Sequence, residues 1–193
     1  MNEMKRMKKL ICGLLATTFL TTTLFAQDEI HGMLKAAAGY TSDFPGLNGY
    51  TVAGEYVLPV ASHWDASLGA KFADMTGHPR TPSVEEFTRA KSLDFNLYWV
   101  PLRTDAQVVR IGLGYSFSFY TIQRAYPVYS QSDGKTSESW PSQQATGRAS
   151  GINFIVEYEY LLPNSPYSFG IRGALYKAYD RTWFIGPTVG YRW

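Results

Sequence analysis

Apolar residues alternate one by one with small or polar residues in eight separate stretches of this chain, and no other feature limits its fold as tightly. The clearest stretch is residues 109–121. Val109, Ile111, Leu113, Tyr115, Phe117 and Phe119 take one side, and Arg110, Gly112, Gly114, Ser116 and Ser118 take the other. A period of two marks a strand, because successive side chains leave opposite faces. Residues 152–160 repeat it, with Ile152, Phe154, Val156, Tyr158 and Tyr160 against Asn153, Glu157 and Glu159. So do residues 167–175, with Tyr167, Phe169, Ile171 and Leu175 against Ser168, Gly170, Arg172 and Ala174. Further strands are predicted over residues 50–58, 64–72, 92–99 and 183–193. A first strand is predicted over residues 30–40, although its Ala36-Ala37-Ala38 run would also suit a helix.

The connections give the strands an order and a direction. Three segments end alike, in Tyr56-Val57-Leu58-Pro59, Tyr98-Trp99-Val100-Pro101 and Tyr160-Leu161-Leu162-Pro163. Proline lacks a ladder donor, so each is expected to end a strand before a short turn. The other connections, residues 42–48, 76–88 and 122–148, read as longer loops, with only 178–181 short. Short turns at one end and long loops at the other are the arrangement of a membrane barrel, the short side being periplasmic. The longest loop carries Tyr126, Tyr129 and Trp140 among polar residues, and loops of this size are where small barrels make contacts.

Alternation alone leaves open which face is outside, since a soluble lipocalin-like barrel would turn its apolar face inward. The opposite face here is mostly Gly, Ala and Ser, where a solvated sheet would carry many Lys and Glu. Small residues suit the narrow interior of eight strands. Aromatics make up 16% of the chain and gather near strand ends (Tyr40, Tyr50, Trp64, Trp99, Phe119, Tyr160, Tyr167, Trp183, Trp193), as in the girdles at membrane–water interfaces. The expected fold is therefore all-β, an eight-stranded antiparallel up-and-down transmembrane β-barrel. Its strands, about ten residues each, match the length a tilted spanning strand needs. On this reading Leu113→Arg harms the lipid face far more than Gly114→Ser harms the lumen.

The amino terminus carries Lys5, Arg6, Lys8 and Lys9, then an apolar, Thr-rich run over residues 10–25 closed by Ala26. A basic start, a short apolar run and a small terminal residue make a secretory signal peptide, expected to be removed after Ala26. That run is too short and too polar for a convincing spanning helix. Cys12 lies too early in it for lipoprotein processing. The segment takes four of the 18 basic residues and one of the 16 acidic ones, leaving 14 against 15 in residues 27–193. No electrostatic footprint for nucleic acid then remains. Cys12 is the single cysteine, so the remainder has no thiol for disulfides, thiol catalysis or Cys-based zinc sites.

The chain ends Val189-Gly190-Tyr191-Arg192-Trp193. Alternating apolar residues closing on an aromatic resemble the terminal-strand signal read by the barrel assembly machinery, through Val189, Tyr191 and Trp193. Thr188 stands where that signal has a glycine. Together with the eight strands, the chain resembles the small OmpX/OmpA-type barrels and related outer-membrane β-barrel families of Gram-negative bacteria. The resemblance implies an outer-membrane location, with the bilayer lipid and lipopolysaccharide and the assembly machinery as partners.

On the inward face the ionisable residues are Glu55, Lys71 and Asp94, then Arg110, Glu157, Glu159 and Arg172. Confined charges must be paired, so these predict an ion network that fills and closes the lumen. The rival reading, proton chemistry by Glu157 and Glu159, lacks an accompanying nucleophile or histidine. Small-barrel deacylases need a Ser activated by a nearby His. His31, His63 and His78 are scattered, without a His-x-Ser pair or metal-ligand spacing. Gly112-x-Gly114 opens no helix and reads as lumen packing, not a phosphate loop. No catalytic, cofactor or metal site is predicted. The expected role of this monomer is structural or adhesive, through a ligand met by the outer loops. A lipid-modifying enzyme and a narrow channel are the alternatives.

Overall fold

A computed structural model describes residues 32–193 except 133 and 134. The expected signal segment, residues 1–26, and His31 lie outside the described residues. Among these are ten strands: β1 (Met33–Asp43), β2 (Asn48–Ala61), β3 (Trp64–Gly77), β4 (Glu86–Arg103), β5 (Gln107–Ala125), β6 (Val128–Ser132), β7 (Lys135–Ser139), β8 (Ser142–Leu161), β9 (Tyr167–Lys177) and β10 (Arg181–Arg192). Eight of them close into a barrel in the order β1-β10-β9-β8-β5-β4-β3-β2, while β6 and β7 form a separate two-stranded sheet. Every neighbouring pair is antiparallel, and β1 meets β10 to seal the ring.

The pleat sorts side chains as the alternation requires, with the apolar set outside. Leu113 is 67% exposed and Ile152 63%, whereas Arg110, Ser116, Glu157 and Glu159 are buried inside. Exposed apolar side chains in a continuous belt around polar interior residues are tolerable only where hydrocarbon replaces water. At the short-turn end the belt finishes in Trp64, Trp99, Tyr160, Tyr167, Tyr191 and Trp193; Trp193 stacks on Tyr56 at 5.6 Å between ring centroids. At the other end Tyr40 packs against Trp183 at 5.2 Å.

Several boundaries differ from expectation, each for a physical reason. The first strand runs three residues later than predicted, and the alanine run is strand, held by β2 and β10 on both sides. Residues 122–148 are not a loop. β5 and β8 stay paired as far as Ala125↔Ser142, and β6 and β7 form a hairpin above them. Residues 128–131, 136–139 and 142–145 are exposed on both faces, so no apolar side marks these strands. Residues 76–88 shrink to a connection over 78–85. Pro59 and Pro101 lie within strand ends and not after them, and the ladder shifts register beside each. The missing donor is absorbed by a bulge. Finally, Gly114 has no room for a side chain. A Cβ there would sit 2.6 Å from the Phe95 carbonyl oxygen, so Gly114→Ser is not the mild change expected.

Candidate functional site

The interior is filled in three tiers. Nearest the short turns, Lys35, Arg103, Arg110 and Arg172 face Glu55, Asp65, Glu157 and Glu159. Register brings two of these contacts about, because Glu157 sits opposite Arg110 on one side and Arg172 on the other. Arg110 donates from Nη1 to Glu157 Oε1 at 2.9 Å and from Nε to Asp65 Oδ2 at 2.8 Å, and also meets Glu159. Arg172 donates to Glu157 Oε2 from Nε at 2.8 Å and from Nη2 at 2.5 Å, and reaches across the lumen to Glu55. Lys35 contacts Glu157 and lies 3.3 Å from Glu159 Oε2. The remaining oxygens are met as well. Tyr98 and Ser67 donate to Glu55 Oε2 at 3.1 and 3.2 Å, Ser168 donates to Glu159, and Arg103 donates to Asp65. Both oxygens of all four carboxylates are thus partnered, the condition under which buried charge is sustained.

The middle tier is mostly neutral. Asn153 donates to Asn96 Oδ1 at 2.9 Å, and Asn96 donates to Ser67 Oγ at 3.0 Å. Ser116 lies between Asp94 and Asn153, 2.6 Å from Asn153 Oδ1. Lys71 Nζ is 3.4 Å from Asp94 and 3.1 Å from the centroid of the Tyr176 ring. Apolar Ala37, Tyr98, Ile155, Ala174 and Phe184 pack beside this chain of hydrogen bonds.

At the loop end Arg124 meets Asp43 at 3.0 Å, Asp180 at 3.2 Å and Glu86 at 3.9 Å, and Arg80 reaches Glu86 at 3.0 Å. Burial pushes the Asp43 carboxyl up, against the pull of the Leu47 N–H and the Arg124 guanidinium. Burial and the neighbouring Asp180 likewise push the Tyr179 phenol up.

All seven predicted lumen residues lie in this interior, grouped as one large cluster and one separate Lys71–Asp94 pair. Sequence reasoning missed Lys35, Asp65 and the loop-end group. Lys35 shares an inward phase with Met33 and Ala37, a signal the alanine run obscured. Asp65 had the right phase, but its partner Arg110 is two strands away. Arg124 lay in a segment read as loop. Val189 and Tyr191 on β10 and Trp193 just past its end are all exposed. His63 and His78 each meet a backbone carbonyl, of Val100 at 3.2 Å and of Val84 at 3.0 Å.

No family model and no curated protein matches the sequence. Among solved structures, Neisserial surface protein A is similar with a TM-score of 0.53 and 11% identity, covering 85% of this chain and 97% of that one. The attachment invasion locus protein Ail of Yersinia pestis, in complex with the heparin analogue sucrose octasulfate, is similar with a TM-score of 0.50 and 12% identity, covering 86% and 99%. The fold is that of the small eight-stranded outer-membrane barrels. An apolar belt on this closed fold places the protein in an outer membrane.

Proposed function

We propose that this chain is an exported, monomeric outer-membrane barrel, freed of residues 1–26, whose lumen is a structural plug and whose work is done at the cell surface. The observation that carries the reading is the projecting hairpin. The β5–β8 ladder continues past the aromatic girdle and is capped by β6 and β7, with Tyr126 48% and Tyr129 66% exposed. Exposed tyrosines among hydroxyl and amide side chains supply large, stiff contact area with adaptable hydrogen bonding, a composition suited to recognition. The heparin-analogue complex of Ail supports a surface ligand for a barrel of this fold. Val189, Tyr191 and Trp193 would present the terminal strand to the assembly machinery. No catalysis is assigned, since the serines of the lumen are held by Asn, Ser and carboxylate partners.

The test is a deletion. The backbone N–H of Tyr126 already donates to the Pro141 carbonyl at 3.1 Å, so residues 127–140 can be replaced by an Asn-Gly turn. Cells displaying the intact chain should attach to heparin- or mucin-coated surfaces better than cells displaying the shortened one. Equal attachment, with both forms present in the outer membrane, refutes the recognition role.

A further inference from the structure

The lipid-facing exterior of β3, β4, β5 and β8 carries a cluster of cations at the loop-side edge of the apolar belt. Cross-strand registers line up Phe72, Lys91, Phe119 and Arg148 in one row, and Asp74, Arg89, Thr121 and Thr146 in the row above. All of these side chains except Asp74 border a groove of about 630 Å³. A second groove of similar volume continues from it toward the bilayer centre, sharing Phe72, Lys91 and Phe119 and floored by Val52, Gly54, Ala70 and Leu93. The dip exists because Gly54 and Ala70 are small where neighbouring outward positions are large.

Charge is distributed unevenly over this surface. Arg89 is 3.2 Å from Asp74, the carboxylate of the patch, and its side chain remains 59% exposed. Lys91 and Arg148 have no carboxylate within ion-pair distance among the described residues. Arg148 lies over the Phe119 ring at 5.3 Å, which holds its guanidinium at the rim. Outward cations on a lipid-facing wall are costly at the bilayer midplane and tolerable only at the interface, where they meet headgroups. One strand, β5, separates Lys91 from Arg148, so the two lie two strand spacings apart, or roughly 10 Å.

We propose that these two grooves form a binding site for a phosphorylated glycolipid of the outer leaflet. Its phosphates would pair with Arg89, Lys91 and Arg148, its sugar hydroxyls with Thr121 and Thr146, and one acyl chain would lie over Gly54 and Ala70. Charge complementarity selects the headgroup, since guanidinium and ammonium groups bind phosphate through charge-assisted hydrogen bonds. The spread of three cations favours a headgroup with more than one phosphate. The contiguous apolar groove selects a lipid over a free anion. The leaflet follows from the orientation proposed above, with the longer connections outside, and the inference rests on that reading.

The experiment is native mass spectrometry of the full barrel, released from nanodiscs containing diphosphorylated lipid A, its dephosphorylated form, or phosphatidylethanolamine. The wild type should retain one diphosphorylated lipid, and dephosphorylation should lower retention about tenfold or more. The triple variant R89Q/K91Q/R148Q should lose the lipid to the same degree. Gly54→Leu, whose Cβ meets nothing closer than the Lys35 carbonyl at 3.9 Å, should fill the lower groove and weaken retention with every cation in place. Inorganic phosphate in millimolar excess should not displace the lipid; displacement would mean a simple anion site. Equal retention of all three lipids, or by the triple variant, overturns the proposal. Folding is read separately from heat-sensitive electrophoretic mobility. A barrel that folds into nanodiscs without holding lipid A refutes this site alone, whereas failure to insert refutes the membrane reading beneath it.

Discussion

Arg110 shows how the lumen is held. It serves Asp65, Glu157 and Glu159 at once, so Arg110→Met takes one partner from each of three carboxylates and should cost about 3–5 kcal/mol in urea unfolding from vesicles, less where water reaches the cluster. The partners are not equivalent. Glu157 keeps Lys35 and Arg172, whereas Glu159 keeps only Lys35 among the basic side chains. In the Arg110→Met background, Glu159→Gln should therefore restore more stability than Glu157→Gln, and strictly additive effects would dissolve the proposed coupling. Asp43, above the outer girdle, titrates differently. Burial raises its folded value above the ordinary 3.8, so its contribution to stability is present in acid and is lost as pH rises through that folded value. Carboxyl NMR should place its midpoint above 3.8, and Asp43→Asn should remove this component from the pH–stability curve.

Strands carry information on both faces, and each face has its own most vulnerable site. On β5, Leu113 points to lipid, and Leu113→Arg should cost roughly 2–4 kcal/mol more than Leu113→Ala in vesicle refolding. Equal costs would mean that the face is solvated. The β1–β10 seam is a second weak point. Its Cα pairing skips from Ala37↔Thr188 to Tyr40↔Ile185, beside Pro187, which cannot donate, and there Gly39 and Gly186 allow the backbones to pack closely. A Cβ on Gly186 would lie 2.7 Å from the Gly39 Cα, against main chain that cannot swing aside. Gly186→Ala should slow or block ring closure, seen as loss of the heat-sensitive folded band, whereas Gly173→Ala, which meets nothing within 4 Å, should leave it intact.

For the whole molecule, the three tiers act in series. A permeating ion would have to break the Arg110 cluster, the Asn96–Asn153 chain and the Arg124 group in turn. Purified protein in planar bilayers should therefore show no steady single-channel current. Sustained conductance would replace the plug by a channel. The filled lumen directs attention to the surface and the exterior, where the hairpin and the lipid-facing grooves carry the functional proposals.

The number of barrel strands, the inward or outward phase of the residues on the strands after the first, and the fold class were legible in the amino-acid sequence. All three depend on a local period of two read against a bilayer that wets one side with hydrocarbon. The inward placement of Arg110, Glu157 and Arg172 was legible for the same reason. Where both faces of a strand are exposed, as over residues 142–145, the pattern carries no contrast and the ladder could not be read. Partner choice was not legible either. Glu55 and Arg172 stand on strands β2 and β9, with β1 and β10 between them, and Asp65 reaches Arg110 past β4. Only closure of the ring sets those distances, because barrel shear and the width of the lumen are properties of all eight strands together.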